Sequence, residues 1–303
     1  MLSGFLITKV LLNSINSSGY FRNFYVRRAL RIFPIYYLFI SVFFLGIFLF
    51  TQKSSHQYLR DNYPYYFVYL QNFLFVFKGL EPTNYLSHLW SLAMEEQFYF
   101  LWPVTVYLIR DTKKLKALLL LVIVVVFFTR LFVWYKFGDR FETYHCNTFT
   151  RIDTIAFGCL LGCGFSYKDL TKLARTSIIT VCAGVFPVGI LLFKDYFFTN
   201  PLFATVGYTA ISILTIFFIE YFITAESKFK FLKTNWLINY IGQISYGMYL
   251  VHIPVYFIIS GKSGFPHLVN ALLSILIAFS IAAVSYRFYE TPFLNLKKKF
   301  QST

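Results

Sequence analysis

Acidic residues, and charge in general, are scarce in this chain. Only 13 of its 303 residues are Asp or Glu and 14% are charged, whereas 57% are hydrophobic and 22% aromatic. A soluble domain carries about 25% charged residues, so there is too little polar surface here to cover a water-soluble fold. That excludes a disordered chain and a cytosolic enzyme. Four cysteines are too few for a secreted disulfide scaffold. Cys159 and Cys163, four apart with no histidine nearby, make a poor metal site, and no metal is expected. Pro/Gly/Ser-rich linkers, low-complexity tracts and internal repeats are missing as well, so residues 1–303 read as one domain.

Long apolar runs take the place of those features, and the mean hydropathy is +0.59. A hydrocarbon core about 30 Å thick needs about 20 mostly apolar residues per helix. Candidate spans are 33–50, 89–109, 117–135, 152–166, 178–193, 202–223, 237–259 and 268–289. None alternates apolar and polar residues as barrel strands do, so helices are expected to keep the backbone hydrogen-bonded in lipid. The fold class is therefore all-α, a polytopic transmembrane helical bundle with about eight crossings, and the lipid bilayer is its first partner.

Basic residues outnumber acidic ones, 28 Lys+Arg against 13, for a net charge of +15. Sorted by loop, eighteen fall in the segments 9–31, 110–116, 168–175, 228–233 and 297–299. Seven fall in the alternate loops, at Lys53, Arg60, Lys136, Arg140, Arg151, Lys194 and Lys262. Lys and Arg in short loops stay cytoplasmic, which explains the basic charge without nucleic acid and puts the C-terminus in the cytoplasm. Arg31 and Arg110 then need an even number of crossings between them, so 64–77 is expected to lie at the outer interface. Residues 1–12 are too short to span and read as the end of a helix.

Polar residues that a membrane helix would otherwise avoid mark the candidate site. Glu95 and Glu96 open an aromatic run that begins at His88 and Trp90; they project about 100° apart, and Glu95 shares a side with Tyr99 and Trp102. Arg28 and Arg31, three apart beside Arg27, suit the gripping of a phosphorylated ligand or serve as a positive-inside anchor. Arg151 and Asp153 begin a span and are expected to bridge to each other's neighbours. Ser245, Tyr249 and His252 fall near one helix face. Arg287 and Glu290, three apart, read as a local structural pair.

These blocks resemble, in order, the motifs of the acyltransferase 3 family of bacterial membrane O-acyltransferases. They are the segment 3–7, the arginines before Pro34, the 89–99 block from Trp90 to Tyr99 with its paired glutamates, Arg151 with Asp153, the 244–254 block with Ser245, Tyr249 and His252, and 286–293. The resemblance covers nearly the whole chain. It implies an enzyme that moves an acyl group, most often acetyl, from acyl-CoA to a hydroxyl of a cell-surface or lipid-linked carbohydrate. It further implies a place in the bacterial cytoplasmic membrane, acetyl-CoA as a co-substrate and no permanently bound cofactor. Glu95, Glu96 and His252 are the catalytic candidates, Arg28 and Arg31 would bind acyl-CoA, and Trp90, Tyr99, Arg151, Asp153, Ser245 and Tyr249 would line the cavity.

The family has ten helices, the first of which brings an arginine and then a histidine base. None of the five histidines here takes that place, so the chain is expected to lack that helix and most of the second. Two alternative readings are an inactive truncated remnant and a transporter or flippase of lipid-linked sugars. Dependence on an acyl donor separates the enzyme from both.

Overall fold

A computed structural model describes residues 1–50, 54–138, 140–193 and 200–300. Every regular element among them is helical. In chain order these are α1 (Leu2–Asn13), α2 (Tyr20–Phe50), α3 (Gln57–Phe67), α4 (Gln71–Lys78), α5 (Trp90–Ile109), α6 (Thr112–Phe137), α7 (Phe141–His145), α8 (Thr148–Arg151), α9 (Asp153–Gly162), α10 (Lys172–Phe193), α11 (Tyr208–Thr224), α12 (Lys230–Thr234), α13 (Trp236–Ser263), α14 (His267–Ser285) and α15 (Thr291–Lys297). The protein is a polytopic helical bundle. Six stretches, Tyr20–Phe50, Thr112–Phe137, Lys172–Phe193, Phe203–Thr224, Trp236–Gly261 and His267–Phe300, are long and apolar enough to cross a membrane.

The two remaining expected spans differ from these six for separate reasons. Helix α5 has 20 residues, about 30 Å at 1.5 Å each, but Glu95, Glu96 and Gln97 dilute its apolar character. The run 152–166 holds only the ten residues of α9, about 15 Å. It ends where Gly164 turns the chain at a φ of +81°. Eight of those ten residues are buried, and a helix buried all round is as apolar in sequence as one facing lipid. In contrast, α2 starts at Tyr20, well before residue 33, and its 31 residues carry the arginines on a helical extension beyond the apolar stretch. Segment 64–77 is split between α3 and α4 by Tyr69 at a φ of +55°, so neither piece is long enough to span. Lys53, Lys194 and residues 301–303 of the expected domain lie outside the described residues, as does the side chain of Lys262.

The chain divides into two compact units. The first comprises residues 1–16, 75–77 and 94–229. Its centre is the pair α1 and α9, which approach closely because Gly4 has no side chain. A Cβ there would collide with the Ile155 carbonyl oxygen and press on Cys159 Sγ at 3.1 Å. Without a hydrophobic driving force inside lipid, such small-residue contacts are what let helices gain packing energy. Helix α6 buries Leu115, Leu119, Ile123, Val126 and Arg130 on one face and exposes Leu120, Leu121, Val124, Val125, Phe128 and Phe132 on the other. An exposed apolar face of that size suits hydrocarbon, not water.

The second unit comprises residues 17–74, 78–93 and the chain from Lys230 onward. Helices α13 and α14 pack along each other, with Gly247 against Ala282, and α2 packs on α3 and α15. Tyr36 is fully buried, stacks on Tyr69 with centroids 4.3 Å apart, and donates to the Tyr66 carbonyl at 2.7 Å. A π-helical turn at Tyr286–Glu290 follows α14. Its wider turn removes Arg287 and Glu290 from the shared face that an α-helix would give them. Arg287 is exposed and Glu290 buried, and the expected pair does not form: Arg130 and Asp153 make the only ion pair among the described residues.

Candidate functional site

The turn that leads into α5 is fastened at three backbone groups by side chains of the second unit. Glu81 accepts from the Leu86 N–H, Tyr249 donates to the His88 carbonyl at 2.8 Å, and Gln71 donates to the Leu89 carbonyl at 2.8 Å. Buried polar groups anchored in this way hold a segment rigidly, because each broken bond would leave a desolvated partner. Burial pushes the Glu81 carboxyl up to about 7, although the bonds from Leu86 and Thr83 oppose the shift.

This fastening sets two imidazoles beside each other, with ring centroids 5.1 Å apart. His252 Nδ1 lies 2.7 Å from the Tyr249 carbonyl, three residues back on α13. A carbonyl only accepts, so Nδ1–H donates to it, and Nε2 has no hydrogen-bond partner among the described residues. His88 is set the other way: its Nε2 donates to the Leu250 carbonyl at 3.2 Å, leaving a buried Nδ1 lone pair unpartnered among the described residues. Burial, then the neighbouring His252, lower the His88 pKa to about 3, so it is neutral. Ser91 reaches the Tyr249 hydroxyl. The sequence singles out Tyr249 and His252 but gives His88 and Ser91 no role; their spacing of three, from the turn before α5 into its first residues, is the available signal. Ser245 does not join them. It is exposed and bonds the Gly242 carbonyl at 2.9 Å, because four residues of helix carry Tyr249 a further turn along α13.

In the first unit Glu95 has both oxygens engaged: Ser3 Oγ donates to one at 3.1 Å and the Tyr99 hydroxyl to the other at 2.9 Å. One turn on, Trp102 Nε1 donates to Thr8 Oγ1 at 2.9 Å. The expected shared side of Glu95, Tyr99 and Trp102 is thus the face that receives α1. Glu96, half-buried, projects about 100° away from it. Trp90, also half-buried, is the first residue of α5.

Asp153 pairs with Arg130, a residue the sequence reading passed over although it is a lone cation in an otherwise apolar run. Fully buried, Arg130 also donates to the carbonyls of Thr150 and Thr205, both at 2.9 Å. Arg151 stacks over the Tyr208 ring at 3.8 Å, and the Tyr208 hydroxyl meets His145 Nδ1 at 2.6 Å. Burial and then Arg151 depress the His145 pKa to about 3. The two residues thus bridge to separate neighbours inside the bundle.

Arg28 and Arg31 lie on α2 in the second unit. Arg28 sits over the Phe24 ring at 5.9 Å, and Arg31 is exposed. Lys297 of α15 is near enough to feel the charges of Arg27, Arg28 and Arg31. Four cations gathered at one place strongly favour a polyanion.

A polytopic membrane bundle with anchored histidines, buried carboxylates and a cluster of cations defines a membrane-embedded protein built around ionisable groups. The chain belongs to the acyltransferase 3 family, whose model, described as an acyltransferase domain, matches residues 1–290. It is 30% identical over 314–322 aligned positions to relatives that include O-acetyltransferase OatA of Staphylococcus aureus, with 96% of this chain and 51% of that protein covered. Peptidoglycan O-acetyltransferase OatA of Listeria monocytogenes is 28% identical, with 99% and 52% covered. The chain thus spans about half the length of the curated relatives it matches. No solved structure matches it.

Proposed function

We propose that this chain is a membrane O-acetyltransferase domain that moves acetyl from acetyl-CoA to a hydroxyl of a cell-wall carbohydrate such as peptidoglycan. The family match over 290 residues, which runs across both units, carries the reading and favours a single acyltransferase domain. The relatives named as O-acetyltransferases supply the acyl group, and the Listeria protein the acceptor class.

Transfer to an alcohol needs a base for the hydroxyl proton and a grip on the thioester. His252 Nε2 is the base in this reading, since Nδ1–H is already donated to Tyr249. It takes the hydroxyl proton as the oxygen bonds to the acetyl carbonyl carbon, the C–S bond breaks, and the proton passes to the departing CoA thiolate. Glu95, with both oxygens engaged, orders the helix that bears it instead of moving a proton. Arg28 and Arg31, with Arg27 and Lys297, bind the CoA phosphates. The loop charges favour a cytoplasmic C-terminus and a cytoplasmic position for these cations, in the bacterial inner membrane.

The test is transfer of label from radiolabelled acetyl-CoA to base-labile esters on peptidoglycan in membranes containing the full chain. Label above that of membranes without the chain, abolished by His252→Ala, is expected. No transfer to any cell-wall glycan overturns the reading.

A further inference from the structure

Between the start of α10 and the end of α11, within the first unit, lies an open groove of about 530 Å³. Nothing in the acyl-transfer reading uses it. Lys172 and Arg175 stand at one end, in the first turn of α10, where the helix dipole adds positive potential. Arg175 Nε is buried and meets no hydrogen-bond acceptor among the described residues. The guanidinium lies 5.7 Å from the Tyr167 ring.

That end of the groove is rigidly built. Glu220 of α11 is buried and accepts from the Ser166 hydroxyl and, at 2.8 Å, from the Tyr167 N–H. Tyr167 is thereby held against Phe217, with centroids 5.2 Å apart. Both Glu220 oxygens are occupied by these bonds, so the carboxylate is committed to the loop and not to Arg175.

Away from the cations the walls turn apolar in a graded way. Ile179 lies one turn further along α10, while Tyr221, Phe218 and Leu214 step back along α11 over about 10 Å. Ile179, Phe218 and Tyr221 are exposed and belong to two stretches able to cross a membrane, so the groove opens sideways onto the apolar outer surface. Two cations, an unsatisfied guanidinium N–H and a greasy wall continuous with that surface match one chemistry: a phosphate that carries acyl chains. A soluble anion would use the cations and leave the wall bare.

We propose that this groove is a binding site for an anionic phospholipid, with the phosphate on Lys172 and Arg175 and an acyl chain along Ile179, Phe218 and Leu214. Basic recesses between membrane helices hold anionic headgroups for the same electrostatic reason.

Native mass spectrometry of the purified full-length chain, equilibrated with equal amounts of phosphatidylglycerol and phosphatidylcholine, tests this. One phosphatidylglycerol should be retained over phosphatidylcholine by about tenfold or more. The double variant Lys172→Gln with Arg175→Gln should bring the ratio close to one. Ile179→Trp keeps both cations and fills the groove, so it should lower retention of phosphatidylglycerol even if the double variant does not fold. Lys114→Gln, an exposed cation elsewhere, should change nothing. Unaltered selectivity in Ile179→Trp overturns the proposal. So does displacement of the lipid by glycerol 3-phosphate or acetyl-CoA at the concentration at which phosphatidylglycerol itself competes, which would assign the cations to a soluble phosphate.

Discussion

His88 and His252 face each other edge to face with ring centroids 5.1 Å apart, and Tyr249 fixes both: its hydroxyl holds the His88 carbonyl and its carbonyl holds His252 Nδ1. Residues 164 positions apart, in the turn before α5 and on α13, therefore share one tether. Each imidazole leaves a different nitrogen without a partner among the described residues, Nδ1 in His88 and Nε2 in His252.

Removing His252 separates a base from a structural residue. His252→Ala should cut acetyl turnover by about 10²–10⁴ while leaving the KM for acetyl-CoA unchanged. Tyr249→Phe leaves the His88 carbonyl without its donor and should cost about 1–3 kcal/mol of stability, with a smaller loss of turnover. Initial rates and thermal unfolding of the purified chain check both; an unaffected rate in His252→Ala removes it from the base role.

The opposite kinetic split is expected of the cations on α2. Arg28→Ala and Arg31→Ala should each raise the KM for acetyl-CoA by about tenfold, since a hydrogen bond to a charged group is worth about 1.5–3 kcal/mol. Turnover at saturating donor should be nearly unchanged. An unchanged KM with lost turnover would move these residues out of donor binding.

Arg130→Met leaves Asp153 buried without its cation and should destabilise the first unit by about 3–5 kcal/mol. Combining it with Asp153→Leu should restore most of the loss, because both charges then leave the apolar interior together. Thermal unfolding of the single and double variants decides it; additive losses would mean that the two side chains act separately.

Glu81 should give the protein a pH-dependent stability. Its carboxyl titrates at about 7 in the fold against 4.5 when exposed, so the folded state binds the extra proton between those values. The stability contributed is complete below pH 4.5 and is lost as the pH rises through 7. The melting temperature should fall from about pH 5 to about pH 8 in the native chain more steeply than in Glu81→Gln, which stays neutral. Parallel curves would show that Glu81 is not the group responsible.

Gly4→Val places methyl groups where the Ile155 carbonyl lies. Separation of α1 from α9 should cost about 1–3 kcal/mol. It should also loosen Ser3 from Glu95, one residue away, and this is readable as increased hydrogen exchange across α1.

Membrane character, helical class and family were legible in the linear chain because each depends on composition or on short local motifs. A deficit of charge and apolar runs of about 20 residues leave lipid as the only solvent that fits, and the blocks around Arg28, Glu95 and His252 keep their order whatever the fold. Even the pairing of Tyr99 with Glu95 follows from a spacing of four on one helix.

Tertiary structure alone decided which polar groups meet across the chain. Arg130 takes Asp153 from 23 residues away, Ser3 reaches Glu95 across 92, and His88 reaches Leu250 across 162; no local periodicity encodes such distances. It also separated a ten-residue buried helix from a membrane span, because both are apolar in sequence and differ only in what covers them.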